Sequence, residues 1–365
     1  MTSRVVSQDA PLRAALETLL EIVESHGGRL HPAFRIREHG GSVSVHANAS
    51  NGETLVDLPE VLLVPMTDAQ WATNGDRLEI LQHDADASAA HREIAEALLP
   101  VYDLSGKLHW TRTSLPRAVF RNDPAVLEVL KTLRPALFAT EMSEANALLS
   151  SRLYNHDGRS YLLPLVDLMN SHRSGSDLNI SGDSMTVRVA RLPEESECFV
   201  SYGPRHDVLD RALVWGYVEQ DVSFARSIPL VISVRGIGTI EIVGERVTPR
   251  SSIDPPRIAI TDDKLTLSHL TFVPDRPQYL SAVLELAVEG LLRRTSKSLD
   301  LQIATRQLGD AIIRENLEKL EEARVLLRRR TGAAASFLGA AIDLQADVIR
   351  RCGLAVTSRS DSDSE

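Results

Sequence analysis

The chain has 365 residues and a formal charge of −10, with 40 Lys and Arg against 50 Asp and Glu. An acidic balance excludes general nucleic-acid binding, which needs a basic face to displace counterions. The length leaves room for two domains, or for one domain with a large appendage. Two cysteines, Cys198 and Cys352, stand far apart without Cys-x-x-Cys spacing, which excludes the zinc clusters that such spacing builds.

The opening MTSRVVSQDAPLRAALETLL lacks a basic head followed by an apolar core, so no signal peptide is expected. No uncharged apolar run reaches membrane-spanning length. The expectation is a cytoplasmic protein with no membrane and no metal partner, of undetermined oligomeric state.

From Pro11 to Glu24 the residues Leu12, Ala15, Leu19, Ile22 and Val23 recur at helical spacing, and Gly27-Gly28 ends the run. FRIRE, SVSVHA, TLVDLP and VLLVP then read as strands, punctuated by Gly40-Gly41 and Asn51-Gly52. From about Thr67 to Ser151 the reading is helical, with one stripe at Ile94, Ala95, Leu98 and Leu99 and another at Val126, Val129, Leu130 and Leu133. Strand text returns in YLLPLVDL, MTVRVARL and ECFVSY, the first two separated by turn-rich SHRSGSDLN.

Beyond Asp221, Ile228–Ile242 and Ile258–Leu267 read as strands. Leu280–Arg294, Leu299–Arg330 and Ala334–Arg351 read as helices, the second burying Leu308, Ile312, Leu317, Leu320 and Leu327. The acidic end VTSRSDSDSE reads as a disordered tail. Arg328-Arg329-Arg330 closes a helix, where cations suit the dipole. His83, Asp84 and Asp86 read as a solvated loop. The chain holds no phosphate-binding Gly-x-x-x-x-Gly-Lys-Ser/Thr loop and no Gly-x-Ser-x-Gly elbow.

The densest motif text runs from Tyr161 to Val218. Pro164, Asp167 and Asn170 form Pro-x-x-Asp-x-x-Asn; Ser201-Tyr202-Gly203 follows, and then a helix ending at Trp215. This order resembles the catalytic half of a SET domain, in the branch of the RuBisCO lysine methyltransferase and the actin-histidine methyltransferase. The resemblance covers roughly the first 220 residues in order and is only architectural beyond them. It implies an α+β fold: 1–66 with an N-terminal helix and the first half of the core, 67–150 a helical insertion, and 151–222 the second half with the motifs. A mainly helical, substrate-binding-like domain over 223–356 and a tail over 357–365 complete it.

It also implies S-adenosyl-L-methionine as cofactor and a protein or peptide substrate methylated on a side-chain nitrogen. Gly40, Gly41 and Ser42 fall on the family's Gly-x-Gly, where missing side chains admit a ligand to the backbone. Arg152 falls on its Ser-Arg. Asp167, Asn170, Ser171 and His172 fall on Asp-x-x-Asn-His-Ser, with the last two transposed. Tyr202 falls on the tyrosine at the neck of the methyl-transfer channel, where alignment and oxygen dipoles serve a displacement at carbon.

Trp215 replaces a tyrosine that orients the acceptor, and indole can donate but not accept a hydrogen bond. Glu195-Ser196 replaces a Gly-Glu. Presenting a lysine neutral at pH 7 costs about 4–5 kcal/mol unless its site lowers the pKa, whereas histidine is mostly neutral already. Lysine and histidine therefore both stand as acceptors. Two alternatives remain: a SET-like scaffold that binds a peptide without methylating it, and an enzyme that reuses the pocket on another small molecule.

Overall fold

The structure, a computed structural model, describes residues 3–139, 143–193, 195–202, 206–244, 254–261, 264–295 and 299–360, with backbone alone for Ser181 and 354–360. Two units divide the chain: one takes 1–113 and 142–204, the other 114–141 and 205–365. Mixed strands and helices with a helical C-terminal region make the α+β class expected from sequence.

In the first unit, helix α1 (Ala10–Ser25) begins where the Asp9 carboxylate accepts the Leu12 amide at 2.9 Å. Leu12, Leu16, Leu19 and Val23 share one face and are buried. β1 (Phe34–His39) and β2 (Ser42–Ala47) form an antiparallel hairpin. Alternation sends Phe34, Ile36, Val43 and Val45 into the core. β3 (Thr54–Pro59) pairs with Arg29–Leu30.

The segment after Thr67 departs from its helical reading. β4 (Ala69–Asn74) and β5 (Arg77–His83) form a hairpin around Gly75, whose φ is +58°. Asn74-Gly75 is the turn signal that the helical reading overlooked. His83 ends β5 with its ring 3.1 Å from Glu96 of α2 (Ala89–Leu104), so it is tied to a helix and not set in a loop. α3 (Lys107–Ser114) follows.

Residues read as a turn-rich spacer also differ. Ser171–Asp177 is a strand, β6; β7 (Asn179–Ser181) and β8 (Ser184–Arg188) join β3 in a separate sheet, with Met185 opposite Leu58. β6 runs parallel to the short β9 (Val200–Ser201). YLLPLVDL is a strand only through Leu162, because Pro164 and a left-handed Leu165 turn the chain there.

The second unit has its own core. Residues 114–141, expected to lie in an insertion of the first domain, belong to it. The helix Pro124–Leu133 buries Val126, Leu130 and Leu133 there, and Asp123 pairs with Arg330 at 2.6 Å. Helix α4 (Val208–Trp215) starts the C-terminal part. A four-stranded sheet follows: β10 (Leu230–Val234), β11 (Gly238–Ile242), β12 (Ile258–Thr261) and β13 (Lys264–Leu267), with β11 and β13 parallel.

Helices α5 (Pro277–Thr295), α6 (Leu301–Leu327) and α7 (Ala333–Ser360) complete the unit. Leu308, Ile312, Leu320 and Leu327 of α6 are buried, with Leu317 partly so. The backbone of α7 stays helical to Ser360, four residues into the stretch read as a disordered tail, because no proline or glycine interrupts it after Gly353. Residues 361–365 lie outside the described residues. Among the described residues, no helix is long and apolar enough to cross a membrane.

Candidate functional site

A buried turn in the first unit carries the first functional side chain. Leu162 through Met169 is almost wholly buried and closes in a 3-10 turn at Val166–Leu168. Leu165 enters that turn at φ +69° with no surface exposed. A branched side chain in left-handed backbone costs roughly 1–2 kcal/mol, which the surrounding packing must offset. The turn directs the Asp167 carboxylate inward, where the residue is 7% exposed.

Three side chains from elsewhere in the chain bear on Asp167. The Tyr102 hydroxyl, from the end of α2, donates to Asp167 Oδ2. Arg152 Nη1 donates to the Asp167 carbonyl at 2.7 Å, and its guanidinium lies 5.5 Å from the Tyr102 ring centroid. Lys107, the first residue of α3, is partly buried and within electrostatic reach of both Arg152 and Asp167.

Burial governs the charges here. It raises the Asp167 carboxyl above its ordinary value against the pull of Arg152, the Tyr102 hydrogen bond and Lys107. Burial, then the Asp167 charge, pushes the Tyr102 phenol well up. Burial and the neighbouring Arg152 bring the Lys107 ammonium down to about 7. Among the described residues, Arg152 Nε and Asp167 Oδ1 are buried without a hydrogen-bond partner. One is a donor and the other an acceptor, and both are costly to leave unmet.

The second part of the site is a threaded strand. Residues 196–202 are stitched to β2 on one side: the Ala47 amide donates to the Ser196 carbonyl, and the Cys198 amide to Val45. On the other side the Val200 amide donates to Asn170, and the Ser176 amide to Phe199. Gly175 makes this passage possible, since a Cβ there would stand 2.5 Å from the Val200 carbonyl carbon. The strand delivers Tyr202, partly buried, with its hydroxyl donating to the Met169 carbonyl at 3.2 Å and its amide to Ser171 Oγ at 3.4 Å.

Asn170 is exposed and donates from Nδ2 to Glu197 Oε1 at 2.6 Å. Ser171 pairs with Val200. The His172 ring lies 5.6 Å from Phe199, and its Nδ1 accepts the Ser174 amide at 3.1 Å. The transposed histidine therefore still packs against an aromatic ring.

Arg152, Asp167, Asn170, Ser171 and Tyr202 thus come together, with His172 at the margin. Gly40, Gly41 and Ser42 lie at the tip of the β1–β2 hairpin; β2 runs beside the turn 166–168, but no hydrogen bond among the described residues ties the tip itself to this cluster. Gly40 and Gly41 have φ of +59° and +81°, and a Cβ at either would meet nothing within 4 Å. Glycine is needed there for the turn, and the backbone is open to approach. The Gly41 amide donates to Glu38 Oε1 at 2.8 Å and holds that exposed carboxyl below its ordinary value. Ser42 begins the strand without a left-handed backbone, so its side chain causes no strain.

Trp215 is described with the second unit. It ends α4 just before a left-handed Gly216, and its ring stands edge-on to His206 with centroids 4.6 Å apart. Gly203 lies outside the described residues. Sequence reasoning passed over Tyr102 and Lys107. The signal for Tyr102 was present: it extends the buried stripe Ile94, Leu98, Val101, and a buried phenol needs a partner for its hydroxyl.

No protein-family model matches this chain, and no curated protein matches it. Solved structures do. The SET domain of LSMT bound to lysine and AdoHcy is 13% identical, with 95% of this chain and 92% of that one covered and a TM-score of 0.44. Rubisco LSMT bound to AdoMet is 12% identical, with 94% and 92% covered and a TM-score of 0.45. At such identity and superposition the likeness assigns no residue a role.

Proposed function

We propose that this chain is a SET-type methyltransferase that takes a methyl group from S-adenosyl-L-methionine to a lysine or histidine side-chain nitrogen of a protein or peptide. The observation that carries the reading is the threading of 196–202 between β2 and β6. It brings Tyr202 beside the turn that bears Asp167 and Asn170, more than thirty residues earlier in sequence.

The residues present fit the cofactor. Arg152 Nε and Asp167 Oδ1 offer a buried donor and acceptor without partners, and the Gly40-Gly41 tip leaves backbone open to contact. Arg152, Asp167, Asn170, Ser171 and His172 would hold it with Gly40–Ser42. When bound, it supplies a methyl carbon activated by an adjacent sulfonium.

Tyr202 is the residue placed to act on the transfer. Its proton is committed to Met169, so the phenol oxygen turns lone-pair density toward whatever lies on its other side. Fixed oxygen dipoles of this kind stabilise positive charge without reorganising. The acidic chain favours a basic peptide as substrate.

The scaffold alternative draws support from one observation. Trp215 is engaged by His206 within the second unit's own packing, which gives the indole a structural use. Methyl-labelled S-adenosylmethionine incubated with lysine- and histidine-containing peptides separates the two readings. Label in a peptide supports the enzyme; no transfer together with no cofactor binding supports the scaffold.

A further inference from the structure

The site contains one side chain whose use neither the motifs nor the proposed reaction accounts for. Tyr102 has no exposed surface, yet it sits at the last turn of α2 with a polar group to satisfy. Its hydroxyl goes to Asp167 Oδ2 and its ring lies under the Arg152 guanidinium. Arg152 in turn reaches the Asp167 carbonyl, so the three residues close a ring of contacts drawn from three separate parts of the chain.

A carboxylate has two oxygens, and fixing one fixes the direction of the other. With Oδ2 held by Tyr102, Oδ1 is the oxygen left buried and unpartnered among the described residues. A guanidinium lying against a ring is likewise restricted in its plane, and Arg152 Nε is the nitrogen left unmet. One buried acceptor and one buried donor suit a ligand edge that offers the complementary pair, such as a hydroxyl or an amino-bearing heterocycle. Leaving both unmet is the costly state, so their orientation is worth fixing before a ligand arrives.

We propose that Tyr102 is a positioning residue of the ligand site: it orients the Asp167 carboxylate and the Arg152 guanidinium so that Oδ1 and Nε face the ligand together. This rests on the reading of the site as one for S-adenosylmethionine. Tyr102 touches neither the reacting atoms nor the ligand; it acts through its two neighbours.

The test is a double-mutant cycle on S-adenosylmethionine affinity, using the full chain and titration calorimetry. Tyr102→Phe removes only the hydroxyl, and Asp167→Asn removes the charge that it orients. The expected result is about a tenfold loss of affinity for Tyr102→Phe alone, the size of a lost hydrogen bond to a charged group. Against an Asp167→Asn background, the same change costs less than threefold, because nothing charged remains to be held. A packing role for the hydroxyl would give the same loss in both backgrounds.

Wild-type binding with unaltered affinity in Tyr102→Phe overturns the inference and leaves the proposed function standing. Equal losses in both backgrounds overturn it as well. Absence of wild-type binding at millimolar ligand overturns both together. If Tyr102→Phe does not fold, as judged by circular dichroism, Asp167→Asn alone decides: wild-type affinity in that variant removes the carboxylate, and Tyr102 with it, from the site.

Discussion

The Tyr202 hydroxyl donates to the Met169 carbonyl at 3.2 Å, fixing a side chain from the threaded strand onto the end of the buried turn 166–169. That bond links the two pieces of chain whose motifs lie thirty residues apart. It also fixes the phenol oxygen more firmly than a ring at a strand end would be by packing alone.

Tyr202→Phe therefore keeps the ring and its packing and loses the oxygen. Methyl transfer to any acceptor peptide falls by at least a hundredfold, while S-adenosylmethionine affinity stays within about twofold, since a transition-state dipole is lost and a ground-state contact is not. Full turnover in this variant removes Tyr202 from the mechanism.

Gly175→Ala tests the threading itself. The added methyl would stand 2.5 Å from the Val200 backbone, where no flexible side chain can yield. The variant is expected to lose about 1–3 kcal/mol of stability, as overpacking does, and to lose S-adenosylmethionine binding with it. Gly40→Ala meets no neighbour and strains only the turn, by about 1 kcal/mol, so it keeps the fold. Equal melting temperatures for wild type and Gly175→Ala would contradict the close passage of 196–202.

Lys107 gives stability a pH dependence with a definite sign. Its pKa is lowered to about 7 by burial and by Arg152, while an unfolded lysine titrates near 10.4. Between those values the unfolded chain holds one more proton, so raising the pH stabilises the fold; below about 7 the penalty is full and constant. Lys107→Met should melt higher than wild type at pH 7, by roughly 2–4 °C for each kcal/mol relieved. The gain shrinks as the pH approaches 10. A gain that does not vary with pH would show that the amine is not held neutral.

Asp207 is the corresponding test in the second unit. Burial opposes its charge, but Arg134 at 2.6 Å, the Asp210 amide, and the charge and amide of Arg226 hold the carboxyl below its ordinary value. Its contribution is complete above the unfolded value near 3.9 and disappears as the pH falls through the lower folded value. Asp207→Ala removes one of the two carboxylates on the buried Arg134, leaving it Asp210 at 2.7 Å, and should cost about 1–3 kcal/mol at pH 7, read from a denaturant titration. A loss below about 1 kcal/mol would mean that Asp210 alone is enough for the guanidinium.

Helix faces were the easiest part to read from sequence. Leu12, Leu19 and Val23 of α1 and Leu308, Ile312 and Leu320 of α6 fall where their spacing put them, because a buried stripe writes itself directly into the sequence. The β4–β5 hairpin was hidden by apolar residues that fit either period, with only Asn74-Gly75 to reveal it. β6 was hidden because SHRSGSDLN pairs through its backbone, and Gly175 serves a neighbouring strand rather than a turn. The allocation of 114–141 to the second unit has no local signal, since its apolar stripe is the same whichever core receives it. At the site, motif order singled out Arg152, Asp167, Asn170 and Tyr202, which the fold sets around one turn. Tyr102 could be read only as a buried phenol in need of a partner, and Lys107 not at all, because their partners lie forty-five or more residues away.

The most direct measurement is calorimetric titration of the full chain with S-adenosylmethionine and with S-adenosylhomocysteine. The proposed function predicts saturable binding of both, weakened by Asp167→Asn. No heat of binding up to millimolar concentrations of either would contradict it and favour the scaffold that binds a peptide without methylating it.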